Sequence, residues 1–108
     1  MTNASVMIKS ISEEKIIFSL QGRVDSSNSA QLEKELFDLR ANNPKGNVLI
    51  DAEGLEYISS AGLRILLRTR KQEGELEMIN VSRDVYDIFE LTGFTDILTV
   101  TRALRTIE

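Results

Sequence analysis

The chain has 108 residues, 42% of them apolar and 28% charged, with a net charge of −4. That suffices for one domain with one core, burying about two thirds of the surface its unfolded chain exposes, and the composition is too apolar for disorder. There is no Cys and no His, which excludes disulfides, thiolate chemistry, a Ser-His-Asp triad and a Cys or His zinc site, and 13 basic against 17 acidic residues do not favour nucleic acid.

Residues 6–8 and 15–21 read as strands. In the second, Ile16, Phe18 and Leu20 share one face and Ile17, Ser19 and Gln21 the other. Ser12-Glu13-Glu14 is short enough to make the pair an antiparallel hairpin. Gly22 breaks the pattern, and Asp25-Ser26-Ser27-Asn28 is a polar loop rich in capping residues. A helix follows over 29–41, with Leu32, Leu36 and Leu39 as its apolar stripe, and turn residues 42–46 end it. Residues 48–50 are apolar on every side, as a strand covered on both faces requires, and Asp51 closes it. After a loop at 52–58, a second helix starts at Ser59 or Ser60 and runs to Glu73, where Gly74 stops it. Residues 76–81 form another strand. Ser82 caps a third helix, with Asp84 and Asp87 at its positive end, Val85, Ile88 and Phe89 as its buried stripe and Gly93 as its stop. A short strand at 97–100 and a last helical turn or two at 102–107 complete the chain. Phe18, Phe37, Phe89 and Phe94 fall mostly on apolar faces and read as core.

Strands alternating with helices imply parallel crossovers. The prediction is a single α/β domain over 1–108, with a mixed sheet of four to five strands opened by a hairpin and three to four helices. No apolar run reaches the about 18 residues of a membrane span and no signal-peptide pattern opens the chain, so a cytoplasmic location is expected.

Chemistry concentrates in Leu55-Glu56-Tyr57-Ile58-Ser59-Ser60-Ala61-Gly62-Leu63-Arg64. Two serines stand where a loop enters a helix, and one of them can cap it through its hydroxyl. Ser60, Arg64, Arg68 and Lys71 fall on one side of that helix, while Leu63, Leu66 and Leu67 fall on another and should face the sheet. The basic stripe is either a solvated face or, with Ser60 at its head, a surface for an acidic partner or a phosphorylated serine. A phosphate on Ser60 would meet free backbone N–H groups and the positive helix end. Asp25 and Asp51 each end a strand, where open α/β sheets build binding sites. Both could instead be turn or cap carboxylates, and for Asp51 the turn is the better account. Neither glycine-rich phosphate-loop pattern occurs, and no cofactor or metal is predicted.

Three blocks give the chain a familiar shape: Leu20-Gln21-Gly22-Arg23-Val24-Asp25; then Val48-Leu49-Ile50-Asp51 with Leu55 and Tyr57-Ile58-Ser59-Ser60-Ala61-Gly62-Leu63-Arg64; and Val85 to Phe89 with Leu91-Thr92-Gly93-Phe94. Together they resemble the STAS-domain family of bacterial anti-sigma factor antagonists over nearly the whole length. The resemblance implies a cytoplasmic non-enzyme that binds an anti-sigma factor, itself a serine kinase, and so releases a sigma factor and turns on transcription. The kinase phosphorylates one serine at the start of the second helix and ends the binding; a serine phosphatase reverses it. By this resemblance the acceptor is Ser60, and Asp25 matches an aspartate close to it. Many members place an aspartate before the acceptor; here that position is Ser59, which is the second choice. The expected partner-binding set is Asp25, Ser59, Ser60, Ala61, Gly62, Arg64 and Arg68, in a chain expected to be monomeric when free.

Two other readings stay open. Some STAS proteins are not phosphorylated and act as scaffold or sensor subunits or in lipid-transport assemblies. An aspartyl-phosphate receiver would use Asp51 with Mg²⁺, but the first strand ends in Lys9-Ser10-Ile11 where an acidic pair is needed, and Asn80-Val81-Ser82 stands where a lysine is wanted.

Overall fold

The structure, a computed structural model, describes residues 4–103. The elements run β1 (Ser5–Ile11), β2 (Lys15–Val24), α1 (Ser29–Asn42), β3 (Asn47–Asp51), β4 (Leu55–Ile58), α2 (Ser60–Glu73), β5 (Glu77–Val81), α3 (Arg83–Leu91), a 3-10 turn (Phe94–Asp96) and β6 (Thr99–Arg102). The expected mixed α/β architecture is present, with six strands among the described residues. The added strand is β4, inside the segment expected to be a loop. Arg102 belongs to β6 rather than to a last helical turn, and residues 104–107 lie outside the described residues.

The sheet order is β1-β2-β3-β5-β6, antiparallel between β1 and β2 and parallel elsewhere. β2 is long enough for two successive parallel partners. Its first half pairs with β3, Lys15 to Ser19 against Asn47 to Asp51. Its second half pairs with β4, Gly22 with Leu55 and Val24 with Ile58. Gly22 is therefore no terminator. It holds φ at 91° inside the strand, where the register shifts, and glycine adopts that angle without steric cost.

One face of the sheet carries the core. Ile16 pairs with Val48 and Phe18 with Ile50, so all four point the same way. They pack with Leu32 and Leu36 of α1, Leu63, Ile65 and Leu66 of α2, and Val85 and Phe89 of α3 in one cluster. All four residues of β3 from Val48 to Asp51 are buried, as its apolar run required. Phe89 stacks on Phe94 with centroids 6.4 Å apart, across Gly93 at φ 81°. In α2 the buried stripe runs Gly62, Ile65, Leu66 and Thr69, at helical spacings of three and four. Leu67 lies on the margin of that stripe and is 38% exposed, contrary to its expected place against the sheet.

At the bottom of the sheet Arg40 joins three segments. Its guanidinium donates to both carboxylate oxygens of Glu73, at 3.0 and 2.9 Å, and to the carbonyls of Asn43, Lys45 and Gly46. Both side chains are mostly shielded, at 15% and 11% exposure. Removing the arginine strands a shielded carboxylate and three carbonyls. Arg40→Ala should therefore cost about 2 kcal/mol, read as a lower urea midpoint at unchanged denaturant slope.

Candidate functional site

β2 and β4 end side by side. The Ser59 amide donates to the Val24 carbonyl at 2.9 Å, extending the pairing of Val24 with Ile58 by one bond. Asp25, next after β2, and Ser59-Ser60, next after β4, therefore emerge together at the C-terminal edge of the parallel sheet, where α/β folds build their sites.

The loop after β2 is organised by its own side chains. The Asp25 carboxylate accepts from the Ser27 hydroxyl at 2.6 Å and the Ser27 amide at 2.9 Å, an Asx-type turn. Those bonds from Ser27 hold the Asp25 carboxyl below its usual range. Among the described contacts, Asp25 bonds to neither Ser59 nor Ser60. Asn28 occupies the N-cap position of α1 without making a cap bond. It ties the loop back instead, accepting from the Asp25 amide at 3.0 Å and donating to the Arg23 carbonyl at 2.8 Å. Asn28 is legible in the sequence as a polar loop residue, but this tether is not.

The two serines have different work. Ser59 is extended and its hydroxyl accepts from the Gly62 amide at 3.5 Å, while its carbonyl accepts from Leu63 at 2.9 Å, so it caps α2. Ser60 is the first helical residue. It is exposed, and its hydroxyl makes no hydrogen bond among the described residues. Ala61 is half-buried and Gly62 is buried. A Cβ at Gly62 would stand 2.5 Å from Ile58 Cγ1 and 2.7 Å from Val24 Cγ1, so the glycine lets the first turn of α2 lie directly on β2 and β4.

The basic face of α2 is only partly free. Arg64 and Lys71 are exposed and enter no ion pair among the described residues. Arg68 departs from the expected open stripe: it grips Glu33 of α1 with two bonds, at 2.5 and 2.8 Å. Leu67 is exposed on the same helix. A cation that sequence reasoning misses stands on β2 beside β4. The Arg23 guanidinium lies 4.6 Å from the centre of the Tyr57 ring, its cross-strand partner on β4. Only knowledge of β4 could have revealed it.

Asp51 is the turn carboxylate expected, since it accepts from the Glu53 amide at 3.0 Å. It is also a buried ion. Its side chain is 3% exposed, pairs with the Lys9 ammonium and accepts from the Asn80 amide at 3.2 Å. A receiver-type phosphate would have to displace the partners of the oxygen it occupied, Lys9 at Oδ2 or Asn80 and Glu53 at Oδ1. Burial alone would raise its pKa, but the bonds from Lys9, Glu53 and Asn80 outweigh burial and leave the carboxyl below 3.8. The ionised form therefore stabilises the fold above that value, and the contribution is lost as pH falls through the lower folded value. Urea stability measured downward from pH 5 should fall less steeply in Asp51→Asn than in wild type. Among the described residues no group of three or more acidic side chains could hold a metal ion, and no helix is long and apolar enough to cross a membrane.

Comparison with known proteins adds the family. The model of the STAS domain matches residues 6–107. BtrV of Bordetella bronchiseptica, whose name places it among anti-sigma factor antagonists, is 40% identical over 89 residues, 79% of this chain and 76% of BtrV. Two solved structures share the fold at 19% identity. An anti-sigma factor antagonist from Mycobacterium paratuberculosis superposes with a TM-score of 0.79 over 94% of this chain and 88% of its own. The anti-sigma factor antagonist SpoIIAA, in its unphosphorylated form, does so with a TM-score of 0.66 over 89% and 87%. With a family model spanning almost the whole sequence and a relative at 40% identity, the chain belongs to the STAS domain family.

Proposed function

We propose that this chain is an anti-sigma factor antagonist of the bacterial cytoplasm whose binding to a serine-kinase anti-sigma factor releases a sigma factor and is ended by phosphorylation of Ser60. One observation carries the choice of residue: Ser59 is engaged as the helix cap, whereas the adjacent Ser60 hydroxyl is exposed and unbonded among the described residues. The kinase would transfer the γ-phosphoryl group of ATP to Ser60 Oγ, with loss of the hydroxyl proton and release of ADP. A separate phosphatase would return the serine by hydrolysis, releasing inorganic phosphate. The chain itself supplies an acceptor and no catalytic group.

The docking surface in this reading is built on the paired ends of β2 and β4, the Asp25 turn and the first turns of α2. Asp25, held in its turn by Ser27, and Ser59, Ser60 and Ala61 form the rim; Gly62 sets the helix height; Arg64 lies one turn below Ser60. Arg68 contributes by fixing α2 to α1. The cations Arg64 and Arg23 suit a partner surface with carboxylates.

The test is a pull-down from the native host with wild-type, Ser60→Ala and Ser60→Asp baits, with phosphosite mapping of the wild-type chain. The expected result is a kinase-type anti-sigma factor on the wild-type and alanine baits, none on aspartate, and phosphate on Ser60. If no such kinase is captured and all three baits retain one other protein, the chain is a constitutive STAS adaptor and Ser60 is only a helix residue.

A further inference from the structure

Two breaks in strand register converge on one carboxylate, and a third meets the turn beyond it. Between β1 and β2 the pairing jumps from Ile8 to Ser10, which leaves Lys9 without an opposite residue, and the Lys9 ammonium reaches over β2 to Asp51 Oδ2 on β3. Between β5 and β6 the pairing jumps from Met78 to Val81. Asn80 lies in that gap at φ 59°, a conformation that asparagine tolerates better than most residues, and donates to Asp51 Oδ1. Between β2 and β4 the break comes after Gly22, whose amide donates to the Gly54 carbonyl at 2.9 Å. Gly54 belongs to the turn that Asp51 itself begins by accepting from Glu53. The same turn is pinned by Ala52 donating to Ile79 at 2.9 Å and by Leu55 donating to Ala52 at 3.0 Å.

A bulge re-aims the side chain it carries. Here two bulges aim a cation and an amide at the same acid, and the third receives the turn beyond that acid. Four strands thus meet at Asp51, and β4 leaves the meeting point with Ser59 and Ser60 at its far end. The buried acid is costly unless paired, so the arrangement is unlike a surface turn that water could satisfy.

We infer that Asp51 is a positioning residue: clamped by Lys9 and Asn80, its carboxylate holds the 52–54 turn, and through Gly22 and β4 sets where Asp25 and Ser60 stand relative to each other. The relevance of that geometry to regulation rests on the reading of Ser60 as the modified residue; the clamp itself does not.

Native-state amide exchange on the unmodified, unbound chain tests it, with Lys9→Met, Lys9→Arg and Asp51→Asn. Lys9→Met removes the countercharge from a half-exposed position, so it decides the matter even if Asp51→Asn folds poorly. In Lys9→Met and Asp51→Asn, the amides of Gly22, Glu53 and Leu55 should exchange about tenfold faster or more, and that of Ser59 measurably faster, while Ile50 and Met78 in the central strands keep wild-type rates. Lys9→Arg should restore protection. Uniform acceleration of every amide would mean that the ion pair adds only global stability, and unchanged rates at Gly22 and Glu53 would mean that the turn holds without it; either overturns the proposal. Because no kinase or partner enters the measurement, its failure is separate from failure of the phosphorylation reading.

Discussion

Gly62→Val should lower the unfolding free energy by about 3 kcal/mol or more, and Gly62→Ala by about 1–2 kcal/mol. On propensity alone alanine should stabilise the helix, since it is favoured over glycine by about 1 kcal/mol. Sterics decide against propensity here. The added Cβ would meet Ile58 Cγ1 at 2.5 Å and Val24 Cγ1 at 2.7 Å, and neither atom is the free end of a flexible chain. Val24 and Ile58 are themselves buried, at 1% and 2% exposure, so they cannot retreat without disturbing the core. The first turn of α2 must then lift, and the Ser59 cap and the Ser60 hydroxyl lift with it. Urea titrations in a double-mutant cycle with Val24→Ala check the mechanism. Val24→Ala alone opens a small void and should destabilise, whereas in the Gly62→Ala background it removes one clashing atom. The two changes should therefore cost clearly less together than the sum of each alone, with a coupling of about 1 kcal/mol. Strict additivity would show that the glycine is needed for something other than close approach.

The same close approach shows what is legible in the sequence and what is hidden. Signals confined to one element read correctly. Ser82 caps α3 by accepting from Val85, Gly74 ends α2 at φ 85°, and the unbroken apolar run of β3 is buried along its length. Signals that depend on a second strand do not. β4 has only four residues, too few for a period of two to stand out, and it exists because the second half of β2 has no other parallel partner. Without β4, Gly22 resembles a terminator, since a positive φ is equally suited to a turn and to a bulge. Arg23 gives no reason to be noticed until its cross-strand neighbour Tyr57 is known. Lys9 resembles an ordinary exposed residue of an edge strand, yet one bulge is enough to send its side chain across the sheet to Asp51.

The candidate site divides in the same way. The serines and the capping chemistry are local and can be read from the helix start, although which serine caps cannot be decided there. The neighbourhood of Asp25 and Ser60 is implied by family resemblance alone, for 35 positions of chain separate them. The physical cause is one hydrogen bond beyond the β2–β4 pairing, Ser59 to Val24. The basic stripe shows what spacing omits: it places Arg68 beside Arg64, but says nothing of Glu33 on α1, which pairs with Arg68 while leaving its side chain 51% exposed.

Ser60→Asp should weaken binding of the anti-sigma partner by about 30- to 1000-fold, equivalent to about 2–4 kcal/mol, while leaving thermal stability unchanged or slightly higher. Within the free chain the new carboxylate meets no penalty. Ser60 is exposed, its hydroxyl has no bond to lose among the described residues, and the start of α2 favours an anion. In the complex the same charge must be stripped of water or excluded when the partner closes over it, and carboxylates on that partner would repel it. Phosphate, with about −1.5 to −2 charges, should act at least as strongly. Ser59→Ala supplies the opposite signature. It removes a cap and should cost about 1 kcal/mol of folding stability, with a loss of affinity far smaller than that of Ser60→Asp because a rim hydroxyl is lost and no charge is introduced. Thermal melts and calorimetric titration with the purified partner, run on both variants, separate the two residues. If Ser60→Asp lost affinity only in step with lost stability, the charge would be acting through the fold, and a switch that operates on an intact surface would be the wrong description. A loss of affinity in a chain as stable as wild type, enlarged at low salt where charges are less screened, is the result that a surface switch at Ser60 requires.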